Sequence, residues 1–150
     1  MDKTVLFNKF VSFTTSVHEV THELTQNIKT DNITSVQYKI LENIKVSQPV
    51  TPTEISECMH MSLPNTSREL KKLFEKKFID KISDQEDRRK QYICLSKNGE
   101  MMMDEAFATI ESRFEQLIQN VSEEDLIEVE QALTILQKKI FNQANSETKE

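Results

Sequence analysis

The sequence predicts a mainly α-helical chain with one small β-hairpin, and three observations carry that prediction. Apolar residues recur at steps of three and four over long segments towards both ends of the chain, the period of a helix with one buried face. One glycine and three prolines among 150 residues leave few positions that break a helix. Ile79 to Ser83 and Gln91 to Leu95 are different: short runs with β-branched and aromatic content, separated by the polar segment DQEDRRK. They read as two strands joined by a charged tip too long for a two-residue turn.

The elements follow in order. Leu6, Phe10, Phe13, Val17, Val20 and Leu24 form the stripe of a long first helix. Thr34-Ser35-Val36-Gln37 is a capping box that opens a helix of about Ser35 to Val46. The next start is Thr51-Pro52-Thr53-Glu54, with Thr51 as cap, Pro52 at the first helical position and Glu54 closing the box. That helix turns Ile55 and Met59 inward and ends near His60. Ser62 caps another after a tight turn, with Pro64 tolerated in its first turn. From Leu63 to about Lys77, helical spacing puts Leu63, Thr66, Leu70, Leu73 and Phe74 on the core side, and Asn65, Arg68, Lys71 and Lys72 on the outer side. Beyond the hairpin, Met103, Phe107, Ile110, Phe114 and Leu117 make one stripe. A capping box at Ser122-Glu123-Glu124-Asp125 then opens a last helix with the seam Leu126, Val129, Leu133, Leu136 and Ile140.

Two short helices, a tight turn and a following hairpin make a winged helix-turn-helix, which points at double-stranded DNA. Charge agrees once it is divided along the chain. The net charge is −6, yet Ser62 to Lys97 holds 10 Lys/Arg against 6 Asp/Glu, a net +4, and the remaining residues hold 9 against 19, a net −10. A local positive excess inside an acidic chain suits phosphate binding without general stickiness. Asn65 and Arg68 are expected to read base edges and Lys71 and Lys72 to meet phosphates, with Ser62 and Pro64 at the helix start counted among the DNA-binding residues. At the ribbon tip, Arg88, Arg89 and Lys90 suit a narrow minor groove. Asp87 beside them is expected to orient the tip, since phosphates repel a carboxylate.

These residues resemble the MarR family of bacterial transcription regulators. The resemblance rests on Thr53 to Ile79, the Asp87-x-Arg89 element in the wing, Arg68 in the recognition helix, and Leu95-Ser96-Lys97-Asn98-Gly99 after it; it extends more loosely over most of the chain. It implies an obligate homodimer through the terminal helices, DNA as partner, and release by a small-molecule effector or an oxidant. Two positions depart from the family pattern: Lys77 and His60 stand where glycine often ends the recognition helix or fills the interhelical turn. Both then require a left-handed backbone without glycine. The first helix lacks cysteine, so the hydroperoxide-sensing cysteine of one branch has no counterpart.

The long stripes carry more apolar surface than a small winged module covers, which independently predicts a symmetric dimer reading a near-palindrome. The expected layout is a winged lobe at about 35–96 and a helical dimerisation region at about 4–29 and 97–143. Residues 142–150, NQANSETKE, are polar enough to fray. A competing motif is His18-Glu19-Val20-Thr21-His22, which fits H-E-x-x-H and a zinc site. Val17, Val20 and Leu24 make that helix a packing seam, however, and no third ligand has zincin spacing. A hydrolase is discounted, and a zinc-binding protein or metal sensor using His18 and His22 stays as the alternative. Neither a phosphate loop nor a nucleophile elbow is present, so neither enzyme activity nor a cofactor is expected. Cys58 and Cys94 lack ligand spacing and read as small buried hydrophobes. No apolar run reaches the roughly 20 residues of a membrane span, and MDKTVLFNKFVSF has no signal-peptide pattern; a cytoplasmic protein without membrane contact is expected.

Overall fold

The computed structural model describes residues 1–28 and 32–142. Its elements are α1 (Lys3–Thr25), α2 (Ser35–Ser47), α3 (Pro52–Met59), α4 (Leu63–Glu75), β1 (Ile79–Ser83), β2 (Gln91–Leu95), α5 (Lys97–Ile118) and α6 (Glu123–Leu136), with a π-helical turn at Gln137–Phe141. The mainly helical class with one hairpin is as the sequence predicts, and both strand boundaries match the expected ones. The expected ends at Lys29 and residue 143, and the tail reading for 143–150, lie outside the described residues.

Two compact units divide the chain, Met1–Ser112 and Arg113–Glu150. In the first, α2, α3, α4 and the ribbon enclose a core of Ile40, Leu41, Ile44, Val50, Ile55, Leu70, Leu73, Ile79, Ile93, Leu95 and Met103. Met103 and Ala106 bring the start of α5 into the same lobe. Burying such side chains stabilises by about 1.5–3 kcal/mol each. The strands pair antiparallel with Ile79 opposite Leu95 and Ser83 opposite Gln91, and Val50 adds an isolated bridge to Ile93.

Caps set the helix starts. Thr34 and Gln37 form both halves of their box, while Thr51, Ser62 and Ser122 each accept from the third residue on. Left-handed residues end α3 and α4. Lys77 has φ 63 and His60 φ 52, as their departure from the family's glycines requires. At α4, the Lys77 amide donates to the Phe74 carbonyl and the Phe78 amide to that of Leu73, the Schellman pattern. At α3, His60 donates to Glu57 and Met61 to Ser56 in the same way. A side chain in that conformation costs about 1 kcal/mol. Lys77→Gly should therefore raise unfolding free energy by about 1 kcal/mol in a urea titration; an unchanged or lower value would show that the turn does not strain Lys77.

Two expected core residues face outward. Leu63 is 47% and Phe74 46% exposed, whereas Thr66, Leu70 and Leu73 are buried. Both lie at one edge of the apolar arc of α4, where a two-stranded ribbon is too narrow to cover them. Lys81 of β1 instead places its ammonium 5.0 Å from the centre of the Phe74 ring, a cation–π contact.

The terminal helices show the opposite balance from the lobe. No side chain of α1 is buried, and Leu6, Phe13 and Val17 are exposed. In the second unit no residue of α6 is buried, with Val129 and Leu133 about half exposed. Among the described residues no helix is long and apolar enough to cross a membrane.

Candidate nucleic-acid interface

The outer face of α4 begins at its cap. Ser62 Oγ accepts from the Asn65 amide at 3.3 Å, and the buried Thr66 hydroxyl donates back to the Ser62 carbonyl at 3.0 Å. Ser62, Pro64, Asn65, Arg68, Lys71 and Lys72 are all exposed. Arg68 Nη1 donates to Asn65 Oδ1 at 3.1 Å, so one turn of helix holds these two polar side chains together. Lys72 pairs with Glu69 at 3.2 Å. The Gln37 amide and then Lys72 hold the Glu69 carboxyl below the usual carboxylate range, against some desolvation.

The wing tip is shaped by two aspartates acting on backbone. Asp84 Oδ1 accepts from the Glu86 amide at 2.9 Å and Asp87 Oδ1 from the Arg89 amide at 3.0 Å. The Asp84 amide donates to the Lys90 carbonyl, and the Lys90 amide to the Asp87 carbonyl, both at 3.0 Å. Asx turns of this kind fix a loop that lacks glycine. With Asp87 turned to the main chain, the cations beside it keep their charge available. Among the described residues no carboxylate lies within 4.0 Å of Arg68, Lys71, Arg88, Arg89 or Lys90.

Recognition helix and wing border one open cleft of about 520 Å³. Leu63 and Ser67 of α4 line it, as do Thr53 at the start of α3 and Arg89, Lys90 and Tyr92 of the wing. Leu63, left half-exposed at the edge of the α4 arc, lines this cleft. Arg88 is exposed at the tip and does not line it. What α4 and the wing offer chemically is a set of guanidinium and ammonium groups without carboxylate partners, suited to a polyanion; Glu54 is the one carboxylate among the residues that line the cleft.

Other side chains fall differently from the sequence reading. Cys58 is exposed, not buried, because the core-facing arc of α3 passes through Ile55, Ser56 and Met59 and leaves position 58 at its far edge; its sulfur accepts from Asn43 Nδ2 at 2.9 Å. Cys94 is only partly buried, since it alternates with the buried Ile93 and Leu95 on β2 and points to the other face. Desolvation, then Asp80 and Glu100, pushes its thiol pKa up, away from the reactive thiolate. His18 and His22 sit exposed on α1, and among the described residues no three His, Cys, Asp or Glu gather as a metal site.

Two tertiary networks left no trace in the sequence pattern. Gln37, read only as a capping residue, is 2% exposed and reaches across to α4, donating to Glu69 Oε2 at 3.0 Å. Gln48 accepts from the Leu95 amide at 2.9 Å and donates to Glu100 at 2.7 Å. Lys45 pairs with Glu100 and Asp104 at 2.7 and 2.6 Å, contacts that keep its pKa raised, Asp104 foremost. These ties join α2, β2 and the first turns of α5.

Comparison with known proteins agrees with this geometry. Residues 33–90, from just before α2 to the end of the wing tip, match the family model described as MarR family. An uncharacterized HTH-type transcriptional regulator of Bacillus subtilis, YdgG, is 29% identical over 135 residues, 88% of each chain. MepR of S. aureus bound to ethidium bromide is similar in structure, with TM-score 0.57 and 27% identity over 87% of this chain and 94% of that one. FabT of Streptococcus pneumoniae in complex with DNA gives TM-score 0.61 and 20% identity over 94% and 99%.

Proposed function

We propose that the chain is a MarR-type, DNA-binding transcription regulator, as its match to the MarR family model over residues 33–90 and its likeness to YdgG support, and that it acts as a homodimeric repressor released from its operator by a small-molecule effector. Each protomer seats α4 in a major groove, with Asn65 and Arg68 on base edges, Ser62 and Pro64 at the helix entry, and Lys71 and Lys72 on phosphates. The wing lays Arg88 and Arg89 along the adjacent minor groove with Lys90 at its wall, and Asp87 holds the tip. Two such units related by a twofold axis read half-sites about 10 bp apart or a multiple of that.

The observation that carries the reading is the set of cations without carboxylate partners on α4 and the wing in an acidic chain, with Arg89 and Lys90 lining a cleft that α4 also borders. Support for the dimer comes from α1 and α6, whose apolar stripes bury no residue within the protomer. The MepR complex with ethidium bromide supports a small ligand as the effector, and the FabT complex supports duplex DNA.

Selection of bound sites from random duplexes at two salt concentrations tests the function. The expected result is an inverted repeat whose enrichment survives higher salt while total binding falls, because phosphate attraction is screened and base reading is not. Recovery of no common sequence at either salt would sink sequence-specific regulation, and recovery of a single unrepeated half-site would sink the dimer.

A further inference from the structure

Composition alone would count Lys76 with Lys71 and Lys72 as a phosphate anchor. The structure gives it other work. Lys76 Nζ donates to the Asn32 carbonyl and to Gln37 Oε1 at 3.0 Å. Asn32 is left-handed, φ 66, and lies in the segment that enters α2. Gln37 Oε1 also accepts from the Thr34 amide at 3.2 Å, and Gln37 Nε2 donates to Glu69 Oε2. The amide is therefore fixed in one sense: donors face its oxygen and a carboxylate faces its nitrogen, so a flipped side chain would oppose all its partners. Glu69 and Lys76 are seven residues apart, two turns along the same face of α4. One nearly inaccessible glutamine thus brackets the recognition helix at two heights.

We propose that Lys76, Gln37 and Glu69 form a positioning clamp that sets the tilt of α4 against α2, so that Lys76 acts on DNA recognition through helix geometry and not by touching phosphate. The proposal rests on the DNA-binding reading of α4 and adds a residue class to it. Base-edge contacts need the helix placed to within fractions of an ångström, whereas phosphate attraction tolerates a tilted helix. A clamp residue should therefore govern discrimination, and an anchor should govern overall affinity.

The test measures binding of the full chain to a selected operator and to an unrelated duplex across a salt series. Lys76→Met keeps the stem and removes the donor. Operator affinity is expected to fall roughly tenfold, with unrelated-duplex affinity and the salt slope unchanged. Gln37→Leu, buried away from any duplex, should give the same selective loss; retained binding to the unrelated duplex shows that it is folded, and Lys76→Met alone decides if it is not. Lys71→Ala serves as the contrast, weakening both duplexes and reducing the salt slope by about 1. If Lys76→Met behaves like Lys71→Ala, the residue is a phosphate contact and the clamp is overturned. If Lys76→Met leaves the operator-to-unrelated ratio intact while Arg68→Ala lowers it, the clamp fails and the DNA reading stands. Wild-type protein that binds neither duplex would remove the reading itself.

Discussion

Gly99→Ala is expected to destabilise the winged lobe by about 3 kcal/mol or more, beyond the usual range for an added methyl group. A Cβ built at position 99 would stand 2.0 Å from the Phe78 carbonyl oxygen and 3.0 Å from its carbon. Neither is the end of a flexible side chain, so α5 or the turn after α4 must move. Ser96 resists that movement. Its amide donates to the same Phe78 oxygen at 3.0 Å, its hydroxyl donates to the Lys77 carbonyl at 2.6 Å and accepts from the Gly99 amide at 3.0 Å. Relief of the overlap breaks these bonds and pulls Met103 from the core. Urea unfolding should show the loss directly, with Asn98→Ala, on the exposed side of the same turn, near wild type. Equal midpoints for Gly99→Ala and wild type would mean that α5 is not held against residue 78.

Arg68→Ala and Arg89→Ala should each weaken operator binding by about 1–3 kcal/mol, a factor of roughly 5 to 150. The two losses should differ in kind. On the proposed reading Arg68, braced by Asn65, meets base edges, and its removal should then relax preference at one position of each half-site. On the same proposal Arg89, whose amide is fixed by Asp87, enters a groove whose width depends on sequence, and its removal should then flatten preference for A·T-rich flanks. In the proposed dimer each contact would occur twice per operator, which puts the expected effect at the upper end of that range. Binding by Arg89→Ala equal to wild type on narrow-groove and wide-groove flanks alike would take the wing out of the mechanism; unchanged selectivity in Arg68→Ala would do the same for that residue.

What the sequence disclosed was local. Caps at Thr34, Thr51, Ser62 and Ser122 and both strand boundaries were legible, because each depends on residues within a few positions; the left-handed sites at His60 and Lys77 were legible only through the family resemblance. Leu63 and Phe74 were misplaced because helical spacing gives the angular width of an apolar arc but not the width of whatever packs on it. Cys58 and Cys94 were misplaced for a related reason: cysteine's general preference for the interior yields to the phase of the helix or strand that carries it. The links from Gln37 to Glu69 and Lys76, and from Lys45 and Gln48 to Glu100, join residues separated by 32 to 55 positions. No periodicity or motif records such pairs. Gly99 was expected from family resemblance, yet the reason for it, a backbone approach at Phe78, is visible only in three dimensions.

α1 is about 35 Å of helix without one inaccessible side chain. If its stripe is covered only by a second copy, occupancy of the operator becomes a problem in mass action: protomers must associate before, or while, they settle on the duplex. Titrations begun well below the dimer dissociation constant should then be steeper than a simple hyperbola, and an affinity measured at one concentration of protein would understate the strength of the assembled species. Cellular abundance would then act as a control input in its own right, with modest changes in copy number producing disproportionate changes in the fraction of operators filled.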